Sequence, residues 1–165
     1  MYRVVVLIVG LMLAGMAQPS FGQDKSFEAD RSTCLDTVKL NAEARIAVCT
    51  KMIESGRPEP KELAIAHFRR AYAWSEKGDK ARSIADYSES LRLNPKQRAA
   101  YNNRGVAMED DASAIADFTE ALALDPDYIL AYRNRGKRWD SLGEYARAVE
   151  DFTRIVDLDP LDEDA

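Results

Sequence analysis

The sequence is poor in the residues on which catalysis and metal binding most often draw. It has one histidine, His67, and two cysteines, Cys34 and Cys49, in 165 residues. No serine or cysteine stands at motif spacing from a base, no glycine-rich phosphate loop is present, and no histidine–carboxylate pair is spaced for a metal. The run Glu109-Asp110-Asp111 lacks the alternating acids and glycine turn that calcium requires, and acids at a helix start ordinarily serve as caps. These absences predict a protein that is not an enzyme, with no catalytic residue, no metal and no cofactor. Excess positive charge is missing too: 23 Lys and Arg face 28 Asp and Glu, giving a net charge of −5. No global field favours nucleic acid or anionic lipid, so nucleic-acid binding is not expected.

Long apolar runs are absent with one exception. Arg3 is followed by the unbroken segment Val4–Ala17 and then by Gln18-Pro19-Ser20-Phe21-Gly22. A basic start, a short apolar stretch and a polar exit form an export signal over residues 1–22. Cleavage is expected after Gly22, because Pro19 disfavours the alternative after Ala17. A membrane-spanning helix needs about 20 apolar residues. Only if the signal stayed uncleaved would the chain be tied to a membrane. Export alters the meaning of Cys34 and Cys49, since two cysteines in an oxidising compartment pair more often than they stay free. The Cys-x14-Cys spacing is too wide for a Cys-x2-Cys redox motif. A bridge stapling the amino-terminal helices is therefore expected.

The dominant positive feature is a pattern that occurs three times. It reads Tyr132, Arg135, Gly136, Trp139, Ala148, Phe152, Pro160 in its clearest copy. It reads Tyr101, Arg104, Gly105, Met108, Ala114, Phe118, Pro126 in a second, and His67, Arg70, Ala71, Trp74, Ser83, Tyr87, Pro95 in a third. Bulky and small positions recurring at thirty-odd residues are the mark of stacked helix pairs. The pattern resembles the tetratricopeptide repeat (TPR), W-x2-L-G-x2-Y, then A-x3-F, then P. The resemblance spans Leu63 to Pro160. It implies an all-α fold, an α-solenoid of antiparallel helix pairs wound into a right-handed superhelix.

The expected organisation is a signal at 1–22, a degenerate amino-terminal helix pair at 23–62 held by Cys34–Cys49, repeats at 63–97, 98–128 and 129–160, and an acidic tail at 161–165. In the amino-terminal pair, Gln23–Asp30 reads as loose, a first helix is expected to reach about Leu40, and a second runs from Asn41 to Glu54. Gly78-Asp79 and Gly143-Glu144 supply turns inside the first and third repeats. The second repeat has nine residues from Gly105 to Ala114 where the others have twelve, and it lacks the turn glycine. Its first helix is expected to end at Met108 or Glu109, with Asp110 or Asp111 capping the next. Arg138 stands where Ala73 and Ala107 occupy the other copies, and is read as a snorkelling stem. No further helix is visible after Pro160, so Val149, Phe152 and Val156 are expected to lie uncovered. Self-association through that last helix follows as an alternative role.

In such arrays the first helix of each pair builds a concave wall that binds other chains. The resemblance places Phe68, Arg69 and Tyr72, then Asn102, Asn103 and Val106, then Arg133, Asn134 and Lys137 on this wall. His67 falls in the bulky slot of Tyr101 and Tyr132 and is read as packing. Some grooves of the family grip a peptide's terminal carboxylate, but Phe68, Tyr72 and Leu130 stand where that clamp needs polar groups. The expected partner is an unidentified protein or extended peptide. Its apolar part would lie on Phe68 and Tyr72, and its acidic part near Arg133 and Lys137. The resemblance together with the signal implies a periplasmic or secreted scaffold of the bacterial type.

Overall fold

The computed structural model describes residues 21–36 and 40–160. All regular structure among them is helical: α1 (Phe21–Leu35), α2 (Ala42–Glu54), α3 (Pro60–Glu76), α4 (Lys80–Leu93), α5 (Arg98–Ala107), α6 (Asp111–Leu124), α7 (Ile129–Ser141) and α8 (Tyr145–Leu158). Consecutive helices pair into four hairpins, and the second helix of each packs on the first helix of the next. The first helices α1, α3, α5 and α7 also touch in series along one side. This is the expected α-solenoid. Residues 1–20 of the signal segment and the acidic tail lie outside the described residues, and the expected cleavage point falls in the first turn of α1.

Local chemistry sets the helix ends. The Asn41, Asp79 and Asp110 side chains accept from the backbone N–H groups of Ala44 (2.8 Å), Arg82 (3.0 Å) and Ser113 (2.8 Å), satisfying donors that a helix start leaves open. At the other end, Gly78 and Gly143 adopt φ of 75° and 76°, the left-handed geometry glycine accepts without steric cost. The Asp79 N–H then reaches the Trp74 carbonyl, and the Glu144 N–H the Trp139 carbonyl, both at 2.9 Å. Two hairpins thus close by the same turn. The shortened hairpin closes differently: α5 stops at Ala107, Met108 is extended, and Asp110 starts α6.

Two expectations about the chain's first part need correction. Residues 23–30 are not loose but lie within α1, which ends at Leu35 rather than near Leu40. Half of the segment's residues, Gln23, Lys25, Glu28 and Ala29, lose little freedom in a helix. It also has partners: Arg31 bonds Glu62 of α3, and the Arg57 guanidinium lies 4.7 Å from the Phe27 ring centre.

The core changes along the array. In the first hairpin Cys34, Val48, Cys49 and Met52 pack with Ala66 of α3, and Cys34 and Cys49 are disulfide-bonded across 5.1 Å between Cα atoms. Later hairpins use an aromatic ring against a small residue. A Cβ at Gly105 would sit 2.8 Å from Phe118 Cε1 and 3.1 Å from the Ala114 carbonyl, and one at Gly136 would sit 2.9 Å from Phe152 Cε1. Glycine lets α5 and α6, and α7 and α8, approach to that distance. Phe152 is accordingly half-buried against Gly136 rather than uncovered, while Val149 and Val156 on the same helix are exposed.

Candidate functional site

The sequence reading missed the feature that sets the inner helices in register. Arg70 donates to both carboxylate oxygens of Asp86 (2.7 and 2.8 Å), Arg104 to those of Asp117 (2.8 and 2.7 Å), and Arg135 to those of Asp151 (2.9 and 2.7 Å). Each pair joins the two helices of one hairpin, and every aspartate is buried. The third arm of each arginine crosses to the preceding hairpin, reaching Thr50 (3.0 Å), Ser88 (3.0 Å) and Thr119 (3.1 Å). Planar two-point pairing suits guanidinium and carboxylate and restricts the angle between helices. Burial pulls the Asp86 carboxyl upward, but hydrogen bonds from Arg70 and His67 outweigh it and hold it below the ordinary carboxylate range. Hydrogen bonding to Asp117 raises Arg104 above the usual guanidinium value. A signal was present in the sequence: Arg and Asp recur sixteen, thirteen and sixteen residues apart, tracking the deletion.

His67 fills the slot of Tyr101 and Tyr132, as expected, and also places Nδ1 2.8 Å from Asp86 Oδ1. At the tyrosine positions the clamp arginines lie 5.7 Å from the ring centres instead. Arg138 is not merely a snorkelling stem. Its guanidinium donates to Asp111 Oδ1 (2.6 Å) and to the Met108 carbonyl (2.8 Å), bracing the turn that lacks three residues.

The nine wall residues fall into three groups. Asn102, Asn103 and Asn134 bond one another: Asn134 Nδ2 donates to Asn102 Oδ1 (2.9 Å), and Asn102 Nδ2 donates to Asn103 Oδ1 (3.1 Å). Asn103 continues this chain to the Tyr87 hydroxyl, which burial pushes above its ordinary value. These amides are committed to the protein and leave little for a ligand. Phe68 and Arg69 are also engaged. The Phe68 ring meets Tyr87 edge-on with centres 5.6 Å apart, and Arg69 donates to the Asp36 carbonyl at 2.5 Å. The remaining group faces outward. Tyr72 and Val106, at equivalent positions of α3 and α5, are 46% and 51% exposed, and Lys137 is exposed at that position of α7. Arg133 is half-buried beside it. Leu130, one turn earlier on α7, adds a further exposed apolar group.

Among the described residues no group of three or more His, Cys, Asp and Glu is arranged around a metal position, and no helix is long and apolar enough to cross a membrane. A cavity of about 560 Å³ opens where the second hairpin is shortened, lined by Glu109, Asp110, Asp111, Ala112, Ile115, Trp139 and Leu142. The arginine-clamped hairpins and the wall of first helices define an α-solenoid whose exposed chemistry suits contact with other chains. Residues 64–97 match the tetratricopeptide repeat family. The chain contains a tetratricopeptide repeat and has the tetratricopeptide-repeat fold.

Solved structures agree. A TPR protein from Parabacteroides merdae superposes with a TM-score of 0.74 at 18% identity, over 85% of this chain and 56% of that one. The TPR domain of Arabidopsis OM64 gives 0.62 at 25% identity, over 64% of this chain and 90% of its own. The second TPR domain of human RPAP3, determined in complex with an HSP70 peptide, gives 0.61 at 26% identity, over 64% and 91%. No curated protein matches the chain.

Proposed function

We propose that this chain is a non-catalytic scaffold that holds an extended segment of a partner protein on the wall formed by α3, α5 and α7, and that it works in the periplasm or outside the cell. The observation that carries the first part is the exposure of Tyr72 and Val106 at one repeat position of adjacent hairpins, with Lys137 completing the row. A segment lying across these helices meets two apolar contacts and then a cation, which suits apolar residues followed by an acid. Recognition rests on these side chains and not on a carboxylate clamp, because Phe68, Tyr72 and Leu130 stand where a clamp needs polar groups and the Asn102, Asn103 and Asn134 amides are bonded to one another. The complex of the human RPAP3 domain with an HSP70 peptide supports a peptide or protein as the partner. The apolar run Val4–Ala17 and the Cys34–Cys49 pairing support export.

A photo-reactive residue at Val106, compared with one at the outer-face position Glu120, tests the groove in intact cells. The reading expects a discrete adduct from Val106, lost with Tyr72→Ala or Lys137→Glu, and none from Glu120. Equal labelling from the two positions, or adducts indifferent to both substitutions, counts against it. Amino-terminal sequencing of the mature protein separates export after residue 22 from an uncleaved anchor. Self-association is the alternative role, and light scattering across a concentration series tests it.

A further inference from the structure

Every junction between hairpins is built from the same parts. The incoming first helix brings a fully buried alanine and the clamp arginine, in the order Ala66-His67-x-x-Arg70, Ala100-Tyr101-x-x-Arg104 and Ala131-Tyr132-x-x-Arg135. The receiving second helix brings apolar side chains and the hydroxyl that accepts the third arginine arm: Leu91 with Ser88, and Ile115 and Leu122 with Thr119. Helix α8 carries the receiving set again. Thr153 stands two residues after Asp151, as Ser88 follows Asp86 and Thr119 follows Asp117. Val149 and Val156 occupy the positions of Ile115 and Leu122, yet they are 62% and 48% exposed where those are 8% and 7%. Among the described residues α8 packs on α7 alone.

We propose that the outer face of α8 receives a helical hairpin from a different protein, whose first helix carries the Ala-aromatic-x-x-Arg order and whose arginine donates to the Thr153 hydroxyl. That hairpin supplies its own aspartate, as each of the three clamped hairpins does here, so a neutral hydroxyl is the only polar group α8 must offer. A second copy of this chain is a poor occupant. Its helices α3, α5 and α7 are already engaged, and α1 lacks the donor set. Val48 replaces the aspartate in that hairpin, and Arg31 is committed to Glu28 and Glu62. Pairing α8 with α8 would bring two hydroxyl acceptors together, and the arginines of that helix are engaged elsewhere, Arg154 with Asp127 and Arg147 over the Trp139 ring.

The test uses the full chain and, as probe, a fluorescein-labelled, hydrocarbon-stapled peptide of residues 127–141, the helix that already fits Thr119 and Leu122. Polarisation is expected to show saturable binding, weakened roughly tenfold by Val156→Glu in the chain and several-fold by Thr153→Val or by Arg135→Ala in the peptide. Tyr72→Ala is expected to leave this binding unchanged, which keeps it distinct from the groove. Val149→Lys serves as a second surface variant, and thermal unfolding confirms that the variants fold. Absence of saturable binding, or binding indifferent to Val156→Glu and Val149→Lys, overturns the proposal. So does sedimentation showing self-association that Val156→Glu abolishes, since a second copy would then own the face.

Discussion

Arg138 of α7 bonds Asp111 at the start of α6, 2.6 Å away, and the same guanidinium holds the Met108 carbonyl at the end of α5. One side chain from the third repeat thus brackets both sides of the second repeat's shortened turn. The other copies have Ala73 and Ala107 at this position, with no guanidinium to offer.

Replacing Arg138 with alanine should therefore loosen the α5–α6 turn without disturbing packing. The pair is about a quarter exposed, so a loss of roughly 1 to 2 kcal/mol is expected in chemical denaturation. Hydrogen exchange should quicken at residues 108–113 and hardly at the Gly143 turn. An unchanged exchange pattern would remove the bracing role.

The clamps should be costlier to break. Arg104→Ala leaves the Asp117 carboxylate buried without its partner, and a loss of roughly 3 kcal/mol is expected. Arg92→Ala breaks a pair that faces solvent, with the arginine side chain 66% exposed, and should cost no more than about 0.5 kcal/mol. Comparable losses from the two would show that the clamp geometry contributes nothing of its own.

Removing the Cys34–Cys49 bridge, by reduction or by paired alanine substitution, opens a loop closed across 15 residues. About 3 kcal/mol of stability should go with it in the chain-entropy model. The loss should be localised: amide protection is expected to fall first in α1 and α2, with the arginine-clamped hairpins holding longer. Uniform loss of protection would argue that the array unfolds as one unit.

Acid should release the α3–α4 clamp. The Asp86 carboxyl is depressed in the folded chain, so its contribution is present above the unfolded carboxylate value of about 3.9 and is lost as pH falls through the folded value. Melting temperatures of the parent and Asp86→Asn should differ most near neutral pH and converge below about pH 4. A gap that stays constant across this range would count against the assignment.

The parts of this fold visible in the sequence are those with local causes. Gly78 and Gly143 mark left-handed turns because few other residues adopt that geometry, and Asp110 marks a helix start because its carboxylate satisfies a neighbouring N–H. The repeat period carried the stacking, and the groove positions follow from it. What stayed hidden depends on meetings between distant residues. Nothing within a few positions of Asp86, Asp117 or Asp151 reveals that an arginine from the partner helix lands on them, and only the recurring Arg–Asp spacing hints at it. The helix at residues 23–30 was missed for the same reason: its amphipathic pattern is weak, and Arg31 finds Glu62 only once α3 is in place. On the wall, composition alone made Asn102, Asn103 and Asn134 look available, whereas their mutual bonds are a property of three stacked helices.

The clamps close within single hairpins and meet their neighbours only through uncharged hydroxyls. A whole hairpin can thus be duplicated or deleted without stranding an ion in the interior. An array of this design can change length in steps of one unit, and the wall of first helices lengthens with it.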